Sequence, residues 1–251
     1  MKPKISIITV CFNSEKTIED TIKSVIAQDY PNLEYIIVDG KSTDNTLKIV
    51  EKYRQHIAKI ISEPDKGLYD AINKGIKYAT GDIVGIINSD DILAYNQAIS
   101  DIAQTFESGK HDAVYADLVY VKQDDVNTVT RKWISGNYKH GKFLWGWMPP
   151  HPTFYAKKNL FEKYGYYTLQ LKSAADYELM LRFIHKHKIS LGYLPKTLVK
   201  MRVGGMSNAS LKNRIAANKE DQKAWKMNEL TPYLFTPYLK PLRKVFQFLN
   251  K

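Results

Sequence analysis

Of the 251 residues only one, Cys11, is cysteine. A lone thiol excludes a disulfide framework and any zinc site built from cysteines. It closes an apolar run, so a buried structural thiol is expected rather than a nucleophile. No uninterrupted apolar stretch approaches the roughly 20 residues that a helix needs to cross a bilayer. The opening Met1-Lys2-Pro3-Lys4 enters a short apolar run without a secretory-signal pattern. These absences predict a cytoplasmic protein, with attachment to the inner face of the cell membrane left open. Glycine-rich phosphate loops of the GxGxxG and GxxxxGK[ST] kinds are also missing, which removes the common dinucleotide and triphosphate fingerprints. There is no internal repeat and no low-complexity linker. With 44% hydrophobic residues the chain can bury one sizeable core, so one large domain with appended elements is expected.

Charge is plentiful but unevenly placed. Residues 1–125 hold 14 Lys+Arg against 20 Asp+Glu, a net of −6, and residues 126–251 hold 23 against 6, a net of +17. Such asymmetry points the basic half toward a polyanion or an anionic membrane. On charge alone, nucleic acid is a candidate partner.

The first half alternates apolar runs with helical periods. Ile5 to Val10 reads as a buried strand; Asn13 and Ser14 are N-cap types before Ile18, Ile22, Val25 and Ile26 on one helical face. Tyr35 to Val38 is a second strand, and an N-cap cluster at 42–45 opens a helix with Leu47, Ile49 and Val50. Ile57 to Ser62 is a third strand, 69–79 is helical, and Ile83 to Ile87 is a fourth strand. Alternation of this kind predicts an α/β fold with a Rossmann-like, mostly parallel sheet flanked by helices. Ligands then bind beyond the carboxyl ends of the strands. Those ends are Cys11-Phe12-Asn13, Asp39-Gly40-Lys41-Ser42, Glu63-Pro64-Asp65-Lys66-Gly67 and Asn88-Ser89-Asp90-Asp91. Carboxylates gathered at one edge need a cation or a hydrogen-bonding ligand.

After residue 110 the pattern is mixed. Ala113 to Val121 reads as one or two strands, 131–155 as an irregular cleft wall rich in Trp, Tyr, Gly and Pro, and 174–187 as helix. Gly204-Gly205-Met206-Ser207-Asn208 reads as a polar loop.

The sharpest signal is Asn88-Ser89-Asp90-Asp91 closing a strand. A hard divalent cation takes carboxylate oxygens, keeps positions for phosphate and water, and neutralises a departing diphosphate. An N-cap or Asx turn would use the same residues. The tetrapeptide is one of an ordered set: Thr9-Val10-Cys11-Phe12-Asn13, Val38-Asp39-Gly40 with Ser42-Thr43-Asp44, Asp70-Ala71-Ile72-Asn73-Lys74-Gly75, and Thr80-Gly81-Asp82 leading to Asp90-Asp91. In this order the sequence resembles the family 2 glycosyltransferases of the GT-A fold, which build bacterial polysaccharides. The resemblance runs over about residues 4–210 and is strongest before 92.

The resemblance implies roles. Thr9 and Asn13 lie around the base and ribose, Asp39 hydrogen-bonds the base, and Asp65 and Lys66 border the same pocket. Asn88-Ser89-Asp90 matches the Asp-x-Asp element, with Asp90 the ligand of Mn²⁺ or Mg²⁺ and position 88 near the ribose. Asn at 88 brings no charge. Where relatives carry Ala-Arg-Asn this chain has Ala71-Ile72-Asn73, so Lys66 or Lys74 are candidates for the missing charge. In Ser173-Ala174-Ala175-Asp176-Tyr177-Glu178, Asp176 matches the general base that takes the acceptor proton, with Glu178 in reserve. An acid near a helix N-terminus also stabilises the macrodipole without any catalytic part. Helical spacing puts 176 and 178 on different faces. His151, in Pro149-Pro150-His151-Pro152-Thr153, resembles a His-Pro segment of the acceptor region. Trp145 and Trp147 offer ring faces to a sugar or to ordinary packing. Arg202, with the loop after it, is placed over the diphosphate. A His that many relatives use as a further metal ligand is missing.

The expected organisation is a GT-A domain over 1–215, with 1–110 binding the nucleotide sugar and 111–215, a mixed region, binding the acceptor. A basic aromatic helical tail follows over 216–251. Leu242, Val245, Phe246 and Leu249 repeat at i, i+3, i+4 and i+7 there. Such a segment lies on an anionic leaflet or docks on the protein's own core. The expected activity is inverting transfer from a nucleoside-diphosphate sugar, UDP-linked by preference, to a glycan or lipid-linked acceptor hydroxyl. Three alternatives stand beside it. A nucleotidyltransferase would need a glycine-rich basic loop after the first strand, which Cys11 to Glu15 is not. A nucleic-acid binder would need clustered basic residues, whereas these are scattered and the cleft half is acidic. An inactive sugar-nucleotide binder would suit Asn88 and the missing His.

Overall fold

The structure, a computed structural model, describes residues 2–204 and 211–246. Its centre is one sheet of nine strands, ordered β3-β2-β1-β4-β8-β6-β9-β5, with β7 paired to β6 at the side. The strands are β1 Ile5–Cys11, β2 Leu33–Asp39, β3 Lys59–Ser62, β4 Ile83–Ile86, β5 Asp91–Leu93, β6 Ala113–Val121, β7 Val129–Trp133, β8 Tyr155–Lys157 and β9 Leu191–Arg202. The first four are parallel to one another. Beyond β4 the sheet is mixed: β8 runs antiparallel to β4 and β6, β9 runs parallel to β6, and β5 runs antiparallel to β9. The α/β class and the flanked, largely parallel sheet expected from the sequence are what is found.

The helices are α1 Ile18–Ile26, α2 Thr46–Glu51, α3 Leu68–Tyr78, α4 Ala98–Gly109, α5 Lys158–Tyr164, α6 Ala175–Met180, α7 Leu211–Met227 and α8 Thr236–Phe246. Successive strand residues face opposite sides, and β1 and β2 are apolar on both. Ile8, Val10, Ile36 and Val38 enter a core closed by α3, α5, α6 and Trp225 of α7. Ile5, Ile7, Tyr35 and Ile37 enter the other core, closed by α1, α2 and α4. Cys11 is buried in this second core, where burial and the adjoining Asp39 push its thiol up. It is a packing residue. Gly85 of β4 has no room for a side chain, because a Cβ there would lie 2.2 Å from the ring of Tyr155 on β8.

Strand order reverses between β1 and β4, and this is where an open α/β sheet leaves a crevice at its carboxyl edge. Both neighbouring loops, 12–17 and 87–90, open into it. An open groove of about 790 Å³, lined by Asp82, Lys110, His111 and Lys157 among others, lies at the opposite edge.

Among the described residues no helix is long and apolar enough to cross a membrane. Beyond Gly204, the polar loop expected at 204–208 lies outside the described residues, as do Leu249 and the side chains of Val245 and Phe246.

The amino edge is fastened by one carboxylate. Glu34 at the start of β2 accepts from Ser6 Oγ of β1 at 2.5 Å, from the Thr80 N–H at 2.8 Å and from Lys4 Nζ at 2.9 Å. Burial alone would raise its carboxyl, but the hydrogen bonds from Ser6, Thr80 and Lys4 outweigh that and hold it at about 2. A depressed carboxyl stabilises the fold above its unfolded value of 4.5 and loses that contribution as pH falls through about 2. Glu34→Gln is therefore expected to reduce stability at neutral pH by roughly 2–3 kcal/mol. The deficit, read from denaturant unfolding at a series of pH values, should shrink across that window. A deficit constant down to the lowest pH would mean that shape, not charge, holds the edge.

Candidate active site

The loops at the carboxyl edge are polar because they bind one another. Beyond β1 the backbone turns through Asn13, whose φ of 49° is left-handed, a conformation that Asn tolerates. Its N–H donates to Ser42 Oγ at 2.8 Å, and its Oδ1 accepts the Thr43 N–H at 2.9 Å. The Ser14 N–H donates to Thr46 Oγ1 at 2.7 Å, and the Glu15 N–H to Asp44 Oδ2 at 3.1 Å. Glu15 answers by accepting the Asn45 N–H at 3.0 Å. Asn13 and Ser14 thus do not cap α1, which starts at Ile18 without a side-chain cap. Their polar atoms are taken by neighbouring loops instead. Ser14 Oγ reaches Ser89 Oγ at 2.8 Å, fastening the first loop to the acidic tetrapeptide.

Asp39 ends β2 wholly buried. Its oxygens accept from Ser62 Oγ at 2.7 Å and from both the N–H and hydroxyl of Ser42. In this arrangement it shapes the Gly40–Ser42 turn. Thr9 is buried as well, and its Oγ1 accepts from Tyr35 OH at 3.1 Å inside the core. Asp65, from the loop after β3, does reach this corner, its Oδ2 only 2.4 Å from where a Gly40 Cβ would stand. Lys66 lies beside it, exposed, with its N–H donated to Asp70. Phe12 is exposed at the same corner. Lys74 is committed elsewhere, to Glu63 at 3.0 Å and the Pro64 carbonyl at 2.8 Å.

The tetrapeptide forms a turn, with the Asp91 N–H donated to the Asn88 carbonyl at 3.0 Å. Thr21 of α1 donates to the Asp91 carbonyl at 2.8 Å. Arg202, at the end of β9, donates to the Asp90 carbonyl at 2.9 Å, to Asp20 at 2.6 Å and to the Gln123 carbonyl at 3.1 Å. Arg202 is itself buried, so it holds the acidic turn from behind rather than lying over a diphosphate. Asn88 Nδ2 donates to Asp91 Oδ2 at 2.9 Å. The other oxygens of that pair, Asn88 Oδ1 and Asp91 Oδ1, are buried and accept from nothing. Burial pushes the Asp90 and Asp91 carboxyls up, Asp91 furthest, with the Asp90 charge adding to the effect. Orphaned hard oxygens beside a partly exposed carboxylate fit a divalent cation. Among the described residues no three His, Cys, Asp or Glu side chains converge on one point, so phosphate and water would have to complete the shell.

Across the cleft, α6 separates its two acids. Asp176 is partly exposed and accepts from Tyr69 OH at 3.2 Å. Tyr69 stacks on Tyr167 with ring centroids 5.7 Å apart, and Tyr167 OH meets His151 Nε2 at 3.0 Å. Asn73 clamps the Tyr167 backbone from both sides, at 2.8 and 2.9 Å. Burial lowers the His151 pKa against the opposing pull of Asp176, so the ring is neutral at neutral pH. Burial, and then Asp176, keep the Tyr69 phenol protonated, a standing donor to the carboxylate. Burial pushes the Tyr120 phenol of β6 up, and the charges of Asp91 and Asp176 act in the same direction, so both carboxylates lie within electrostatic reach of this one residue.

Glu178 and Trp147 lie outside that cleft. Glu178 is buried and paired with Arg182 through two bonds of 2.9 Å, while Asn228 adds a third contact at 3.0 Å. It locks α6 to the 164–166 backbone, to which Arg182 also donates, and to α7. Trp147 is buried against Tyr115, Tyr138 and Phe143, its indole N–H donated to the Ser135 carbonyl at 2.8 Å. Its ring faces belong to the core.

Comparison with known proteins now has a geometry to refer to. The Glycosyl transferase family 2 model matches residues 6–175. The chain belongs to the family 2 glycosyltransferases. An uncharacterised glycosyltransferase of Mycobacterium tuberculosis is 32% identical over 182 residues, covering 72% of this chain and 68% of the relative. A PGL/p-HBAD biosynthesis glycosyltransferase of Mycobacterium bovis is 26% identical over 213 residues, covering 82% and 80%. In fold the chain is similar to S. aureus TarS 1–349 in complex with UDP-GlcNAc, with a TM-score of 0.70 and 23% identity over 90% of this chain. It spans 65% of that longer protein. The mannosyltransferase PcManGT from Pyrobaculum calidifontis, in complex with GDP-Man and Mn²⁺, gives 0.67 at 18% identity, covering 98% of this chain and 74% of its own. This GT-A protein is therefore a sugar-transferring enzyme.

If Glu178 is structural, Glu178→Gln should destabilise the fold by about 3–5 kcal/mol by leaving Arg182 buried and unpaired. Turnover per folded molecule should stay near wild type. A variant of normal stability and lost turnover would return Glu178 to the chemistry.

Proposed function

We propose that the chain is an inverting glycosyltransferase that moves one sugar from a nucleoside diphosphate, UDP by preference, to a hydroxyl of a glycan or lipid-linked acceptor. The observation that carries this is a partly exposed carboxylate, Asp176, and an acidic turn with orphaned oxygens beside Asp90, with Asp91 of that turn and Asp176 both acting on Tyr120. Asp176, held by Tyr69, takes the proton of the acceptor hydroxyl as that oxygen attacks the anomeric carbon. The bond from that carbon to the diphosphate breaks on the opposite side, and the anomeric centre inverts. Asp90, with Asn88 Oδ1 alongside, would hold Mn²⁺ or Mg²⁺, which would supply positive charge at the diphosphate. The loops of 1–110, with Asn13, Asp65, Lys66 and Ser89, border the nucleotide, and His151 lines the acceptor side within 111–215. UDP-GlcNAc and GDP-Man in the two structural neighbours support a nucleotide-sugar donor. A cytoplasmic place at the inner face of the membrane suits a lipid-linked acceptor.

UDP-, GDP- and dTDP-sugars screened by thermal shift, with and without Mn²⁺, test the donor side. One nucleotide family should raise the unfolding temperature in a metal-dependent way, and Asp90→Ala should abolish the shift. Equal shifts in Asp90→Ala would remove the cation from this site, and no shift with any donor would count against the transferase reading.

A further inference from the structure

Helix α8 is docked and yet leaves an apolar face uncovered. Thr236 Oγ1 donates to the Leu144 carbonyl at 2.7 Å, Asn218 of α7 donates to the Pro237 carbonyl at 2.7 Å, and Lys240 pairs with Asp221 at 2.7 Å. Gly146, at φ +71°, brings the short turn Lys142–Trp145 under the helix: a Cβ there would lie 2.5 Å from the Lys240 backbone nitrogen. The sequence left open whether the tail packs on the protein or turns outward. It does both.

The outward face carries Tyr238 and Leu242, at 69% and 50% exposure, and Leu234 in the turn before the helix is 96% exposed. Trp145, 54% exposed, joins them through Phe235 and Tyr233, with ring centroids 5.3 and 6.3 Å away. A water-facing surface seldom gathers so many large apolar groups without a partner. Two tyrosines and a tryptophan combine apolar bodies with polar tips, the chemistry of the membrane–water boundary.

Charge selects the partner. Arg243 reaches the Trp145 carbonyl at 3.4 Å, and Lys142 lies within electrostatic reach of both Arg243 and Lys139. Burial, and then the charges of Arg243 and Lys139, lower the Lys142 ammonium, so the three cations lie in one patch. Of the neighbouring acids, Asp221 is paired with Lys240, and Glu220 accepts from the Lys172 and Ser173 backbone. An exposed aromatic face beside Arg243, Lys142 and Lys139 complements an anionic leaflet.

We propose that the exposed face of α8 and the Trp145 turn form a docking surface for a bilayer containing anionic lipid. Lys240 Nζ stands 3.9 Å from the ring of Tyr177, which ties α8 to the helix that carries Asp176. The docking surface extends the functional reading above, and its test needs neither donor nor acceptor.

The full chain is mixed with phosphatidylcholine vesicles and with phosphatidylcholine–phosphatidylglycerol vesicles, and binding is read by co-sedimentation and tryptophan emission. Binding to the anionic vesicles, weakened by salt, is expected, with a blue shift that Trp145→Phe removes. The combined Leu234→Ser, Tyr238→Ser and Leu242→Ser variant should lose at least about tenfold in partitioning. Lys139→Glu with Arg243→Glu should lose about fivefold or more per position, on anionic vesicles only. Both variants should keep the wild-type unfolding temperature and donor response. Failure of the wild type to bind, or binding unchanged in the serine variant, would overturn the proposal. So would a solution dimer that the serine variant dissociates while no vesicle binds, because the face would then belong to a second copy.

Discussion

Everything at the carboxyl edge depends on a reciprocal exchange between the loops after β1 and β2. Each loop offers backbone N–H groups that its own chain cannot satisfy, and each supplies side-chain oxygens to the other. The Asn13, Ser14 and Glu15 N–H groups go to Ser42, Thr46 and Asp44; the Thr43 and Asn45 N–H groups go to Asn13 and Glu15. Unpaired, such groups would each cost about 1–3 kcal/mol if buried. Paired, they fix two strand ends against each other, and Ser14 extends the fixation to Ser89 and the acidic turn. The short residues Asn, Ser, Thr and Asp are at the strand ends for this reason as much as for any ligand.

The same principle sorts the carboxylates. Asp39, Glu178 and Asp117 are buried and held by donors, Asp117 by the Ser135 N–H at 2.7 Å and Tyr193 OH at 2.9 Å. Asp91 is buried with one oxygen unmatched, and Asp90 and Asp176 are the partly exposed pair on the cleft. A carboxylate saturated by its own protein has structural work, whereas one with unmatched acceptor capacity facing a cleft is available to a cation, a proton or a substrate hydroxyl.

The parallel half of the fold was legible because its strands are continuous apolar runs and its helices have clear faces. The mixed half was less so. β9 is broken by Pro195, which falls where the register with β6 shifts between Leu194 and Thr197, so no clean strand pattern survives. α4 and the three-residue strand β5 also went unread. The strand is defined by a pairing partner far away in sequence. Motif order placed Asn13, Asp65 and Asp90 just beyond parallel strands, but type and spacing alone could not tell an exposed side chain from a saturated one. Thr9, Asp39, Arg202, Glu178 and Trp147 are buried. Tyr69 and Asn73 were missed because they lie roughly a hundred residues from Asp176 and Tyr167, the groups they hold.

The account stands or falls on Asp176 as the group that takes the acceptor proton. Single-turnover transfer by Asp176→Asn, measured beside its donor affinity and unfolding temperature, tests this most directly. The account predicts transfer slowed by about 10²–10⁴-fold with donor affinity and stability unchanged. Transfer at the wild-type rate, or donor affinity lost together with transfer, would contradict it.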